Sequence, residues 1–186
     1  VHKPFQPLYP GDREWNKDSA QLAVAAPEEG AHPTWDSILA HVGANLDEPL
    51  EGFMGITGEQ YLLYWITCLI QKPYTPLPYL YLYGPQNSGK SIMHEAMFLL
   101  FKNGKGYARA DQSIRNESAF NAELKHAVLC VIEEVNLTSS RGAYDRVKDW
   151  VTSEMLSIHT KGKTPYEIPN TTHWIQCANN INYIKA

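Results

Sequence analysis

The feature that most constrains this chain is the segment GPQNSGKS at residues 84–91, which lies between two patterned runs. Residues 79–83 (YLYLY) have the length and the aromatic content of a buried β-strand, and the segment SIMHEAMFLLF that follows has apolar residues at helical spacing. A glycine-bearing loop between a strand and a helix can surround phosphate with backbone N–H groups at the positive end of the helix. The order of strand, loop and helix therefore predicts an α/β fold with a phosphate-binding loop.

The loop matches the pattern GxxxxGK[ST], in which two side chains have specific tasks. We expect Lys90 to reach the β- and γ-phosphates as a fixed cation, and the Ser91 hydroxyl to bind the Mg²⁺ that accompanies a nucleotide. The alternative is a chance match in a glycine turn, and the flanking strand and helix argue against it. The predicted nucleotide-binding residues are Gly84, Pro85, Gln86, Asn87, Ser88, Gly89, Lys90 and Ser91.

A second apolar run, AVLCVI at residues 127–132, ends in Glu133 and Glu134. Open α/β sheets bind ligands at the carboxyl ends of their strands, so these carboxylates are expected beside the phosphate loop. We assign Glu133 to the Mg²⁺ side and Glu134 to positioning and deprotonating the attacking water. Without the loop, such a pair would be read as a solvated strand end.

A third apolar run, HWIQCA at residues 173–178, ends in Asn179 and Asn180. An amide on a neighbouring strand can hydrogen-bond the γ-phosphate or the attacking water, which makes Asn179 a catalytic candidate. The signal is weak by itself, because asparagine after a strand is usually a turn residue. Strands that alternate with helices along residues 79–186 imply a layered α/β core with a mainly parallel sheet.

Residues 1–78 differ from this pattern and are expected to form a Pro-rich arm and helical lead-in. We predict that residues 1–33 are an extended arm in which Trp15 is a candidate for docking on the body. A helix is expected from Thr34, and a second one after the capping-box pair Thr57 and Gln60. The second helix (YLLYWITCLI) is apolar on every side, which predicts that it lies between layers. Prolines that break the arm are Pro4, Pro7, Pro10, Pro27 and Pro33.

Charge and cysteine content exclude several classes of protein. The net charge is -4, and only the last part is clearly basic: residues 1–60 carry 3 basic and 10 acidic side chains, residues 61–140 carry 7 and 6, and residues 141–186 carry 6 and 4. Any nucleic-acid contact must therefore be local.

Cys68, Cys130 and Cys177 are too scattered for a disulfide framework or a zinc site, which fits a reducing cytoplasm. The apolar run at residues 61–70 is shorter than the roughly 20 residues that cross a bilayer, so no membrane association is expected.

Lys161 and Lys163 flank a glycine in the segment TKGKT, which joins two short extended pieces, LSIH and PYEI. Two lysines at a hairpin tip can approach a phosphate backbone, and repetition around an oligomer would multiply the charge. The alternative is an ordinary solvated turn. His159 and His173 have no metal-ligand spacing and are expected to be structural.

The ordered set GPQNSGKS, VIEE, SIHTKGKTPYEI and IQCANN resembles the superfamily 3 helicases, and most closely the phage and plasmid primase-helicases. This resemblance implies an AAA+-like P-loop NTPase with a three-layer core that uses ATP and Mg²⁺. Residues 84–91 of this chain match the family's Walker A loop, and Glu133 and Glu134 match its Walker B pair. Lys161 and Lys163 match the hairpin that grips single-stranded DNA, and Asn179 matches the sensor asparagine, with Asn180 as the second choice.

The resemblance also implies features of the whole protein: a homo-oligomeric ring, expected to be a hexamer, that moves 3′ to 5′ along one strand of single-stranded or forked DNA in a host cytoplasm. A primase domain in the same protein is a further expectation. The family's arginine finger follows the sensor strand. Arg141 and Arg146 lie before that strand, so they do not match the finger's place in the order. We therefore expect the chain to be part of a longer protein and to bind nucleotide better than it hydrolyses it.

Two other functions remain open from the residues. A small-molecule P-loop kinase would transfer phosphate to an acceptor beneath an arginine-rich lid, which the sequence lacks. A kinase also has little use for the water-orienting role assigned to Glu134. A non-hydrolysing assembly module would use nucleotide only to stabilise an oligomer.

Overall fold

A computed structural model of the chain describes residues 1–17, 24–26, 28–101, 105–115 and 120–184. These residues contain six strands: β1 (Leu80–Tyr83), β2 (Gly106–Arg109), β3 (Ala127–Glu133), β4 (Met155–Ile158), β5 (Tyr166–Pro169) and β6 (His173–Ala178). They also contain six α-helices: α1 (Pro33–Gly43), α2 (Asp47–Met54), α3 (Gly58–Gln71), α4 (Ile92–Leu100), α5 (Asp111–Arg115) and α6 (Arg141–Thr152).

Four of the strands form one sheet in the order β1-β6-β3-β2, and every neighbouring pair in it is parallel. Strand β6 is the last of the four in the sequence but lies between β1 and β3, where Ile175 pairs with both Leu80 and Val131. The mixed α/β fold and the parallel sheet predicted from the sequence are confirmed. All four carboxyl ends meet at one edge, which we call the carboxyl edge.

Apolar residues cover both faces of this sheet. On one face, Leu129 and Ile175 share a buried core with residues of α1, α3 and α4. On the other face, Cys130 and Trp174 share a core with α6 and with the β4–β5 hairpin, and the Trp174 ring stacks on Trp150 at 6.1 Å. The alternation of side chains along a strand explains this division, because successive residues point to opposite faces.

Helices α1 and α3 cross at two glycines. A Cβ atom built on Gly58 would lie 2.0 Å from the carbonyl oxygen of Gly43, so the two backbones are in direct contact. The capping box before α3 is confirmed, since Thr57 accepts a bond from the Gln60 N–H and Gln60 accepts one from the Thr57 N–H. The prediction that α3 lies between layers is wrong, because Tyr64 is 56% exposed and half of the neighbouring Leu63 is accessible as well.

The arm is irregular, as predicted, but its first 17 residues are not extended. The buried amide of Asn16 donates to the carbonyl oxygens of Lys3, Gln6 and Pro7, which closes the segment on itself. Trp15 is 60% exposed and does not dock on the body. Pro27 lies outside the described residues.

The expected hairpin is present. Strands β4 and β5 pair antiparallel, and their connection contains Gly162 with φ of 74°. Of the strands and α-helices given above, three were not predicted, namely α2, β2 and α5, and each of them is short. No helix within the described residues is long and apolar enough to span a bilayer.

Candidate nucleotide-binding site

The loop at residues 84–91 leaves β1 at the carboxyl edge and leads into α4. The Gly84 N–H donates to Ala178 at the end of β6 (3.2 Å), which ties the start of the loop to the sheet. Asn87 and Gly89 have φ angles of 62° and 83°, so the loop turns sharply at two left-handed residues. This path brings the last two residues of the loop onto the amino end of α4.

Lys90 spans the space between β1 and β6. Its Nζ donates to the carbonyl oxygens of Gly84 (2.9 Å) and Pro85 (2.8 Å), and to Oδ1 of Asn179 (3.0 Å). The lysine and the asparagine that the sequence assigned to catalysis are therefore brought together, although they are 89 positions apart in the chain.

Asn179 and Asn180 differ in what they bind. Asn179 is exposed at the end of β6, with its amide oxygen on Lys90. Asn180 instead caps a short 3-10 helix, Ile181–Tyr183, by accepting a bond from the Asn182 N–H (2.9 Å), and its carbonyl oxygen accepts one from Tyr81. Only the side chain of Asn179 faces the loop residues.

Ser91 and Glu133 join the loop to strand β3. The Ser91 hydroxyl donates to Oε1 of Glu133 at 2.8 Å, which leaves the lone pairs of the hydroxyl oxygen available. A hydroxyl and a carboxylate are the hard oxygen ligands that Mg²⁺ takes alongside phosphate oxygens and water. Among the described residues no group of three or more His, Cys, Asp or Glu side chains could hold a metal. The Ser91–Glu133 pair by itself fits a cation whose other ligands are phosphate oxygens and water.

Glu133 has further partners that the sequence analysis did not identify. His94 Nε2 donates to the same Oε1 at 2.9 Å, and Arg109 contacts Oε2 at 2.5 Å. Asp111 accepts from both the Glu133 N–H (2.6 Å) and Arg109 (2.9 Å). Burial by itself would raise the pKa of Glu133, but the hydrogen bonds from Ser91 and His94 and the charge of Arg109 outweigh it, so the pKa is lowered.

Glu134, although adjacent to Glu133, differs from it in exposure and in side-chain partners. Its side chain is exposed, and its carboxylate forms no hydrogen bond or ion pair with the part of the chain that the structure describes. Its backbone is left-handed, with φ of 53°, and its N–H donates to Cys177 of β6 (3.0 Å). Arg115 holds this turn by donating to the carbonyl oxygens of Glu133 (3.4 Å) and Glu134 (3.2 Å). The turn directs the two adjacent carboxylates to different surroundings.

Helix α1 reaches the loop through His41. Its Nε2 donates to the Ser88 carbonyl oxygen at 2.8 Å, and a Cβ atom on Gly89 would lie 2.9 Å from the same nitrogen. The glycine is therefore required twice, for its left-handed φ and for the closeness of the imidazole. Nothing in the sequence pattern singled out this histidine.

Within the described residues, the side chains of the other candidates outside the loop form no hydrogen bond or ion pair with Lys90, Glu133 or Asn179, except that the Cys177 thiol donates to the Lys90 carbonyl oxygen at 3.5 Å. Lys161 and Lys163 are exposed in the hairpin turn, where the Lys163 N–H donates to Thr160 (3.0 Å). Arg141 pairs with Asp145 at 3.6 Å on the surface of α6. His159 bonds Ser157, and both nitrogens of His173 contact backbone carbonyl oxygens, at Val128 and Thr75 (2.9 Å each). The three cysteines are free.

Residues 82–185 match the model of DUF5906, a family of unknown function. The chain belongs to this family. No curated protein matches the chain significantly.

Solved structures give a second comparison. The chain is similar to the apo structure of the NrS-1 C-terminal region in its A form, with a TM-score of 0.69 and 17% identity over 99% of this chain and 43% of that one. A further apo structure of the same region has a TM-score of 0.68 at 17% identity, covering 99% of this chain and 44% of that one. The chain thus shares the fold of that region and spans less than half of its length. A structure of JCV helicase has a TM-score of only 0.45, at 16% identity, covering 83% of this chain and 43% of that one.

Proposed function

We propose that this chain is the ATPase part of a superfamily 3 type helicase, which couples ATP hydrolysis to movement along single-stranded DNA. One observation carries the proposal. At the carboxyl edge, Lys90 contacts Asn179 at 3.0 Å and Ser91 contacts Glu133 at 2.8 Å, so residues at the ends of β6 and β3 meet the glycine-bearing loop that follows β1. That is the arrangement which positioning and electrostatic stabilisation of a phosphoryl group require.

Each residue then has its own task. The backbone N–H groups of residues 84–91 and the amino end of α4 bind the phosphates, and Lys90 neutralises the charge that develops on the γ-phosphate. Ser91 and Glu133 hold Mg²⁺ and its water shell, and the metal supplies Lewis-acid stabilisation when it is bound. Asn179 orients the γ-phosphate or the attacking water.

Glu134 is the residue that favours hydrolysis. Its carboxylate is exposed and unpaired within the described residues, and it lies one position beyond Glu133. A water molecule held there has a base at hand to receive its proton. Transfer of phosphate to a small-molecule acceptor does not require a base that deprotonates water.

The β4–β5 hairpin supports the DNA part of the proposal. Lys161 and Lys163 are exposed on either side of Gly162, in a turn that presents two cations close together. In a ring of identical subunits such turns add up to a strong local charge, which an acidic protein needs if it is to bind a phosphate backbone. We propose a hexameric homo-oligomer acting on single-stranded or forked DNA, with a primase domain in the longer protein.

Nucleotide binding is the first property to test. Titration of a fluorescent ATP analogue should show binding by the wild type and its loss in Lys90→Ala. Lys72→Ala is the matched control, because Lys72 is exposed after α3 and has no contact with the loop. Tight ATP binding by Lys90→Ala would contradict the assignment of the loop.

Hydrolysis separates the helicase from the two other functions. ATP turnover measured with and without single-stranded DNA should be stimulated by DNA and should be lost in Glu134→Gln, which should still bind ATP. ATP turnover that is not stimulated by DNA, or that requires a small-molecule acceptor of phosphate, would favour a kinase. If the wild type shows no ATP turnover and Glu134→Gln assembles as the wild type does, the result would favour an assembly module.

The hairpin is tested by replacing Lys161 and Lys163 together with alanine. Basal ATPase activity should remain and DNA stimulation should disappear, because within the described residues neither lysine forms a hydrogen bond or ion pair with the loop, Glu133 or Asn179. Lys148→Ala, a change of the same kind on the exposed side of α6, should keep the stimulation. If the double variant is still stimulated, the hairpin is not the DNA grip.

A further inference from the structure

His94 occupies an unusual position beside the candidate metal site. It is a histidine on the helix that follows the phosphate loop, it is only 2% exposed, and both of its ring nitrogens have side-chain partners. A buried polar ring of this kind is costly unless every bond is satisfied, so its partners should be informative.

The spacing along α4 explains how His94 reaches Glu133. Ser91 and His94 are three residues apart, so they lie on the same face of the helix. Both contact the same carboxylate oxygen, Oε1 of Glu133, at 2.8 and 2.9 Å. The other oxygen, Oε2, is held by Arg109. The carboxylate is therefore bound from two sides and cannot rotate freely.

Glu133 and Tyr107 bind opposite nitrogens of the His94 ring. An ionised carboxylate only accepts hydrogen bonds, so Nε2 must be the donor to Glu133. Burial raises the pKa of Tyr107 to about 12, so its hydroxyl stays protonated, and it forms a hydrogen bond with the other ring nitrogen, Nδ1, at 3.1 Å. Residues that bind metals through a carboxylate or histidine are commonly oriented by such outer hydrogen bonds.

We propose that His94 is a positioning residue, which holds the Glu133 carboxylate towards Ser91 and the nucleotide-bound metal, with Tyr107 fixing the orientation of its ring. This inference rests on the proposed function. It adds two residues from α4 and β2 to a site that the sequence motifs place on residues 84–91, Glu133, Glu134 and Asn179. His94 acts through Glu133 and does not touch the phosphates.

The test measures metal-dependent nucleotide binding as well as activity. A fluorescent ATP analogue (mant-ATP) is titrated into the protein in EDTA and again with saturating Mn²⁺, and the ratio of the two affinities reports how well the site holds the metal. His94→Ala should keep the affinity in EDTA, because the loop is intact, and should lose about tenfold or more of the gain from Mn²⁺. The kcat for ATP should fall in parallel.

Two further variants separate positioning from packing. His94→Gln retains an N–H at about the place of Nε2 and should recover most of the loss. Tyr107→Phe keeps the ring and its edge contact with Phe98, and should lose about threefold of the gain from Mn²⁺. Its control is Tyr79→Phe, which also removes a hydroxyl hydrogen bond, here to Gln176 at 2.8 Å, and should behave as the wild type.

The outcomes are distinguishable. A folded His94→Ala variant with the full gain from Mn²⁺, or a His94→Gln variant no better than alanine, would overturn the positioning role. If His94→Ala does not fold, equal behaviour of Tyr107→Phe and Tyr79→Phe would overturn it instead. A wild type that binds no mant-ATP, with or without Mn²⁺, would refute the proposed function itself and this inference with it.

Discussion

Replacing Gly89 with alanine perturbs the loop at residues 84–91 at the position where two constraints coincide. The φ angle of Gly89 is 83°, a region that costs an L-residue about 1–2 kcal/mol. The new Cβ would also lie 2.9 Å from His41 Nε2 and 3.2 Å from its Cδ2. The imidazole is the end of a side chain and can move, but it then loses its bond to the Ser88 carbonyl oxygen, worth about 0.5–1.5 kcal/mol.

The sum predicts that Gly89→Ala lowers the free energy of unfolding by about 2–3 kcal/mol. With a urea m-value of about 2 kcal/mol/M, the denaturation midpoint should fall by about 1–1.5 M. If the loop binds nucleotide as proposed, affinity for ATP should also fall by about tenfold or more, because the loop amides would leave the positions from which they could surround phosphate.

A second glycine isolates the backbone part of this cost. Gly55 ends α2 with φ of 67°, and a Cβ there would have no atom within 4 Å. Gly55→Ala should therefore show the cost of the left-handed backbone alone, about 1–2 kcal/mol, with unchanged ATP affinity. Combining Gly89→Ala with His41→Ala should add little to the loss from Gly89→Ala, since the contact is already broken.

Urea denaturation followed by circular dichroism measures the stabilities, and fluorescence titration measures the affinities. A Gly89→Ala variant that is no less stable than Gly55→Ala and binds ATP as the wild type does would contradict this prediction. In that case neither the left-handed turn nor the His41 contact shapes the loop.

Three more predictions concern stability. Gly58→Ala should lower the free energy of unfolding by about 3 kcal/mol or more in urea denaturation, because its Cβ would meet the Gly43 carbonyl oxygen at 2.0 Å and force α1 from α3; a smaller loss would mean that the helices do not touch. Thr57→Ala should cost about 1 kcal/mol in the same assay through loss of the bond to the Gln60 N–H, and no change would argue against the capping box. Burial lowers the pKa of His173 below its ordinary 6.5, so its contribution to stability is present above that pH and is lost as the pH falls through the folded pKa. Unfolding at pH 8 and 5.5 should therefore show a smaller pH effect in His173→Gln than in the wild type, and equal effects would contradict this.

The parts of the fold that could be predicted are those whose signal is local. The parallel strands β1, β3 and β6 were predicted within one residue of their observed bounds, because each is a run of apolar and aromatic residues that ends at a glycine loop or at polar residues. Strand β2 was missed, since GYAR is short and begins with glycine. The exposure of Leu63 and Tyr64 was missed for a different reason: composition does not say which side of an apolar helix faces solvent.

The same division holds for the candidate site. The sequence by itself determined the loop at residues 84–91, the pair Glu133 and Glu134, and Asn179, because a phosphate loop and a strand end are contiguous in the chain and their residue types limit their chemistry. His94 could have been predicted in the same way, because it lies three residues beyond Ser91 on the same face of one helix.

Only the tertiary structure decided how these pieces meet. The order β1-β6-β3-β2 places Asn179 beside Lys90 and leaves Glu133 between α4 and β2, within reach of Ser91 and Arg109. It also brings His41, from a helix that precedes the motifs, onto the loop. These contacts join residues dozens of positions apart, and they depend on which strand lies next to which. That choice is made by burying both faces of the sheet at once, a property of the whole chain that no local pattern contains.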